Sequence, residues 1–367
     1  MFDLSLTVEQ QRISTELHDL AVERLRPLAA EAEAQSAFPE PIVKTLEGID
    51  WLPGRDAFAA GAEDPLSFCL AAEGLAWADP ALAYAWVTSR QVAWLIAACG
   101  SGPQREKYLP LLARSPLAPA GLLLFEGYGR APSELEATAR RDGDDWIVSA
   151  EKTAVAFAGR ADVAVVIARD EDGELIGFVL DDPAASVRFE GEHDRRLALG
   201  AAALATRAVV DELRIGQDAV LRQSGLAAAI GVCRLAQAAV SLGAAESATR
   251  YAADWGLNRT AFGRPLVGFQ GVAFVLANLF MEAESTRAAL QEAVTSLATA
   301  DDAEDRTSRV VAQVNHLVRN ASREGIELMG VHGVITDHPV ERIYRSAAVL
   351  ASIDFDPLIN LLVLSNS

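Results

Sequence analysis

Residues 259–270 read RTAFGRPLVGFQ, an arginine and two phenylalanines framing glycines and a proline between two long stretches of helical apolar spacing. A guanidinium on a loop that closes a helix suits bidentate phosphate binding. Gly263 lets the backbone turn there. Phe262 reads either as a stacking surface for an adenine or as a core contact. For Arg259 alone, the plainer reading is a solvated side chain at a helix–helix corner.

Working outward, apolar residues at helical spacing fill 222–256 before the junction and 267–299, 304–329 and 339–350 after it. At the other end, 7–36 carries Leu17, Leu20, Ala21, Leu25 and Leu28 three and four apart, with Thr7, Glu9 and Gln10 as a helix start. Further helical patterns cover 65–77, 80–99 and 103–113. The character changes at Pro116 and Pro119. DGDDWIVSAEK begins with an Asp-Gly turn, and ADVAVVIARDEDGELIGFVLDD reads as a hairpin about Asp172-Gly173. The predicted order is therefore an α-helical domain at 1–116, a β-domain at 117–220 and a C-terminal helical bundle at 221–367.

The chain has 367 residues, 51% of them hydrophobic, and a formal net charge of −19. That is enough to bury a large core and argues against disorder. The surplus of acids argues against nucleic acid and anionic membrane surfaces as partners. Cys69, Cys99 and Cys233 sit in apolar surroundings without a CxxC pair, which points to buried thiols in a reducing cytoplasm. The start, MFDLSLTVEQQ, lacks signal-peptide character. The long apolar run GLAAAIGVCRLAQAAVSLGAA is interrupted by Arg234 and Gln237 and reads as a buried helix rather than a membrane span. GVAFVLANLFMEA is apolar nearly all round, so it is expected to be covered, by the bundle or by another subunit.

Two other stretches carry candidate chemistry. GVHGV (330–334) places glycines beside His332, either for close backbone approach to a ligand or, at Gly330, as a helix cap. His332 and His338 lack metal-ligand spacing, so no metal is expected. His193 reads as a surface loop residue. SIDFDPLIN (352–360) sets Asp354 in an apolar context that suits a base of raised pKa. Asp356 before Pro357 reads as the cap of a last short helix. GxGxxG, P-loop, HExxH and GxSxG motifs are absent from the sequence.

Taken in order, these stretches resemble the acyl-CoA dehydrogenase family over essentially the whole chain. RTAFGRPLVGFQ is similar to its Arg-x-x-Phe-Gly-x-Pro-Leu…Gln signature. ELMGVHGV with HPVERIYRSA is similar to Gln-x-x-Gly-Gly-x-Gly…Glu-Arg-x-Arg-Asp-Ala. GDDWIVSAEKTAVAFA is similar to the segment reading Gly-x-Lys-x-Trp-Ile-Thr-Asn. The resemblance implies an α+β, mainly α fold of helical domain, β-barrel-like domain and helical bundle, assembled as a dimer of dimers. It implies FAD shared across a subunit interface. A glutamate removes the α-proton of an acyl-CoA thioester while a β-hydride passes to the flavin, and electrons leave through an electron-transfer flavoprotein.

Carried over residue by residue, Arg259, Phe262, Leu266, Gly330 and Glu327 stand where the family contributes to the ADP half of a neighbour's FAD. Glu327 replaces a glutamine, and Val331 replaces the second glycine. On the chain's own flavin side, Phe125-Glu126 replaces Thr-Glu and Ala154-Val155-Ala156 replaces Trp-Ile-Thr. Backbone amides remain as possible donors there. Asp354 stands in place of the catalytic glutamate, with Phe355 for the following glycine, and Cys233 occupies the alternative base position. The pattern implies a degenerate subunit of a heterotetrameric acyl-CoA dehydrogenase with a catalytic partner, of the kind that desaturates bulky steroid side-chain acyl-CoAs. The alternatives are a self-sufficient enzyme with Asp354 as base, and a flavin-free structural or acyl-thioester-binding protein on the same fold.

Overall fold

The structure, a computed structural model, describes residues 5–59, 64–127, 134–191 and 198–355. His193, Asp356 and the apolar end at 357–365 lie outside the described residues.

The N-terminal helices are α1 (Val8–Leu20), α2 (Ala29–Gln35), α3 (Glu40–Glu47), α4 (Pro65–Ala76), α5 (Pro80–Cys99) and α6 (Gly102–Leu112). Thr7 starts α1 in a reciprocal capping box with Gln10, as its sequence position predicts. The single helix expected over 7–36 is broken. Pro27 has no N–H to donate and its ring crowds the preceding turn. The chain passes through a π turn at Ala21–Leu25 and a 3-10 turn at Arg26–Leu28 before α2 resumes.

The strands follow: β1 (Ala120–Leu123), β2 (Thr138–Asp142), β3 (Asp145–Lys152), β4 (Val163–Arg169) and β5 (Leu175–Asp181). After a one-turn helix α7 (Pro183–Ser186) come β6 (Arg188–Glu190), β7 (Arg207–Ile215) and β8 (Val220–Leu221). Their order is β6-β7-β3-β2-β4-β5-β8, with β1 parallel to β4. The β4–β5 hairpin turns at 170–174, as the Asp-Gly signal predicts. Along β4, Val163, Val165 and Ile167 face the core shared with the helices, whereas Ala164, Val166 and Ala168 face a second core inside the β-domain. Burial on both faces explains why β4 is a continuous apolar run rather than an alternating one.

The C-terminal bundle comprises α8 (Leu226–Asn258), the small hairpin β9 (Thr260–Ala261) and β10 (Arg264–Pro265), α9 (Gln270–Ser296), α10 (Ala303–Met329) and α11 (Pro339–Leu350). The 33-residue α8 is the axis of the molecule and packs against α4, α5, α9, α10 and α11. Among the described residues it alone is long and apolar enough to cross a membrane, yet 83% of its apolar window is buried within the fold. Gly243 permits the α4–α8 contact: a Cβ there would stand 2.2 Å from the Glu73 carbonyl oxygen. The all-round apolar start of α9 is only half covered. Leu276, Leu279 and Ala283 are buried, while Phe274 and Met281 are 63% and 62% exposed.

Candidate functional site

Arg234 lies in the third turn of α8, and burial of its guanidinium requires a partner. That partner is Asp354, on the turn after α11. Arg234 Nε donates to both carboxylate oxygens at 3.0 and 3.1 Å. The Phe355 N–H donates to Asp354 Oδ1 at 2.6 Å. Arg234 Nη2 reaches Ser308 Oγ at 3.4 Å, and Nη1 stands 3.7 Å from Glu304. Burial pushes the Asp354 carboxyl above its ordinary pKa, against the opposing pull of the guanidinium. Phe355 is buried, lies 5.3 Å from the Arg234 guanidinium, and meets the Phe125 ring edge-on at 5.6 Å. The cavity beside them is about 240 Å³, walled by Leu124, Ile230, Gly231, Leu297 and Phe355 and rimmed by Glu304. Cys233 is fully buried, and burial drives its thiol well above the ordinary value, so it is no base.

The β-domain side of this junction is equally committed. Glu126 accepts the N–H groups of Glu136 and Ala137 at 2.7 and 3.0 Å and the Lys152 ammonium at 2.7 Å. Lys152 also donates to the Leu124 carbonyl at 3.2 Å; its burial lowers it to about 8 despite Glu126. The Tyr84 hydroxyl donates to the Ala154 carbonyl. The amides of Val155, Phe157 and Ala158 donate to the carbonyls of Ala205, Ala202 and Ala203 at 3.2, 2.9 and 3.1 Å. Of the replaced positions, the Val155 amide is thus used within the chain, as are those of Phe157 and Ala158 just after it. An isoalloxazine needs a slot and aimed donors. Phe125 packs against Phe355 on this side, and the side chains of Phe125, Ala154, Val155 and Ala156 offer no donor to a flavin ring edge.

The other candidates gather at the far end of α8, around Trp255. Arg259 caps the helix; its N–H donates to the Trp255 carbonyl at 2.8 Å, and its carbonyl accepts the Leu266 N–H at 2.9 Å. Its side chain is exposed and has no partner among the described residues. Phe262 (φ 50°) and Gly263 (φ 82°) form the turn between β9 and β10, both in the left-handed region that a two-residue hairpin of this twist requires. Phe262 is 98% exposed and, among the described residues, its one ring contact is with Phe269 at 6.3 Å, so the core-contact reading does not hold. Leu266 is half-buried. Gly330 (φ 59°) ends α10, and Glu327 beside it is exposed. His332 packs on Trp255 with ring centroids 4.7 Å apart, which joins the 330–334 turn to the hairpin. His338 accepts or donates at 2.9 Å to the Tyr251 hydroxyl.

The structure therefore gathers Arg259, Phe262, Leu266, Gly330 and Glu327 at one end and sets Asp354 at the other. At 1.5 Å rise per residue, Arg234 and Arg259 are about 37 Å apart along α8. Sequence reading missed the Arg234–Asp354 pair, although an arginine inside GVCRLA signals a buried partner. It also missed Tyr84, which no local pattern marks.

Two family models match the chain: acyl-CoA dehydrogenase, N-terminal domain, over residues 7–116, and acyl-CoA dehydrogenase, C-terminal domain, over 226–354. A 3-(aryl)acrylate reductase of Clostridium sporogenes is 23% identical over 94% of both chains. A short-chain specific acyl-CoA dehydrogenase of Clostridium acetobutylicum is 24% identical over 95% of this chain and 94% of that one. The solved structure of butyryl-CoA dehydrogenase from Megasphaera elsdenii superposes with a TM-score of 0.82 at 22% identity, covering 100% of this chain and 99% of that one. The chain belongs to the acyl-CoA dehydrogenase family.

Proposed function

We propose that this chain is the non-catalytic subunit of a heteromeric, FAD-dependent acyl-CoA dehydrogenase of the cytoplasm. It lends Arg259 and Phe262, with Leu266, Gly330 and Glu327 around them, to the ADP half of an FAD whose flavin ring lies in a partner chain. The partner supplies the base that desaturates the acyl-CoA, and electrons pass on to an electron-transfer flavoprotein. A bulky acyl group such as a steroid side chain is the substrate class this reading favours. One observation carries it: Asp354 is clamped to Arg234 and capped by Phe355, which fills the space against Phe125. A base must reach its proton within roughly 3 Å, and a carboxylate bound to a buried guanidinium with a ring over it is badly placed for that.

The test is the visible spectrum of the chain expressed alone and then together with a second acyl-CoA dehydrogenase chain from the same genome. The expected result is colourless protein alone and a flavin spectrum only for the co-purified assembly. Stoichiometric flavin in the chain alone overturns the proposal. The upward push of burial on the Asp354 carboxyl favours the second reading, Asp354 as base. On that reading Asp354→Asn abolishes turnover with flavin retained. No flavin from any co-expressed partner would leave the flavin-free binding protein.

A further inference from the structure

A second buried charge cluster lies away from both ends of α8, where α4, α8 and α9 meet. Glu73 on α4 and Glu246 on α8 are each 8% exposed. Both address one guanidinium. Arg287 of α9 donates from Nε to Glu73 at 2.9 Å, and its Nη2 contacts both Glu73 and Glu246. Arg287 also reaches the exposed Glu284 on its own helix at 2.6 Å. Glu246 Oε2 is buried with no hydrogen-bond partner. Two carboxylates on one nitrogen leave an uncompensated negative charge in a low-dielectric site, which is costly.

We infer that Glu73 and Glu246 share one proton, and that this proton seats α9 against α4 and α8. With the proton in place, the cluster is one carboxylate, one carboxylic acid and one guanidinium, and it is neutral. Without it, two like charges meet behind Arg287 and push apart the junction that holds α9. The groups acting on Glu246 are Glu73 from α4 and Arg287 from α9, with Cys69 of α4 feeling Glu73 in turn. Burial first, then the Glu73 charge, raise Glu246 to about 8, against the opposing pull of Arg287. The consequence falls on a helix whose outer face carries Phe274 and Met281, so the proton sets how firmly that face is presented.

The sign follows from linkage. Between the ordinary glutamate value of 4.5 and about 8, the folded chain holds a proton that the unfolded chain has released. Stability is therefore highest at the acid side of this window and falls as pH rises through it. One proton changes the folding constant by up to about tenfold per pH unit.

The experiment compares wild type with Glu246→Gln, by infrared spectroscopy near neutral pH and by denaturation from about pH 6 to about pH 8. Expected are a protonated-carboxyl band in wild type that Glu246→Gln removes, and a pH slope that the variant flattens by up to about 100-fold in folding constant over that range. Amide exchange in α9, relative to α10, should also rise across the window in wild type only. An unchanged band together with parallel slopes overturns the inference. If Glu246→Gln does not fold, Glu73→Gln serves instead. It leaves Glu246 alone with Arg287, and the band and slope must again disappear. None of these readouts needs a partner chain or flavin, so failure here is separate from failure of the proposed function.

Discussion

At the Arg234 end of α8, charge is turned inward: guanidinium, carboxylate, serine and two phenylalanine rings close on one another. At the Arg259 end, the Arg259 guanidinium and Phe262 are turned outward; among the described residues the guanidinium has no partner and Phe262 meets only the Phe269 ring, edge-on. Both ends carry an arginine and a phenylalanine, so residue type does not separate them. Partnering does. A buried ion pair is committed within the chain, because removing either partner leaves the other charge desolvated and uncompensated. An exposed cation and an exposed ring contribute almost nothing to folding and keep their value for a ligand or a partner.

The largest expected effect tests the closed end. Arg234→Ala strands the Asp354 carboxylate in the core and should cost about 3–5 kcal/mol in chemical denaturation. Replacing both, Arg234→Met with Asp354→Leu, should recover most of that loss, since an apolar pair of similar volume removes the uncompensated charge. A loss below about 1 kcal/mol for Arg234→Ala would mean that Asp354 has another way to be satisfied, and the contrast between the ends would collapse. Because burial raises the Asp354 carboxyl, that group's contribution is present at acid pH and declines as pH rises towards its folded value.

The legibility of the sequence divides along the same line. Thr7, the Asp-Gly turns and the apolar periodicity of α8 to α11 are local signals, and each element formed where its pattern lies. Pro27 is also local, but its effect on the 7–36 pattern needs the clash it makes with the preceding turn rather than the apolar spacing alone. The closeness of Arg259, Phe262 and Leu266 to one another was legible because they lie within one short stretch. The closed end was not. Arg234 and Asp354 are joined only by the fold, as are Tyr84 and Ala154, and Glu73, Glu246 and Arg287. Sequence spacing has no access to pairs that tertiary packing creates.

Next in size is Arg259→Ala. The chain's own stability should stay within about 0.5 kcal/mol of wild type, the usual range for an exposed side chain without partners. In the proposed heteromeric assembly, loss of the proposed charge-assisted phosphate contact, worth about 1.5–3 kcal/mol, should weaken FAD by about 10- to 100-fold. Flavin retention on gel filtration at falling protein concentration measures it. Wild-type retention together with a destabilised chain would make Arg259 a structural cap and leave the open end without a function.

The smallest effect is the sharpest test of the contrast, because its expected sign is opposite in the two assays. Phe262 holds a left-handed backbone, which is strained for a bulky side chain, and it buries nothing to offset the strain. Phe262→Asn gives the turn the Asn-Gly pair that this hairpin geometry prefers. The free chain should gain roughly 0.5–1 kcal/mol in denaturation, because αL conformation costs Asn less. The assembly should lose flavin or partner affinity, because the ring is gone. If the free chain loses stability instead, Phe262 makes contacts within its own fold and the end is not open. If stability rises and the assembly is untouched, the strained ring serves neither the chain nor a partner, and Arg259 alone would carry the open end.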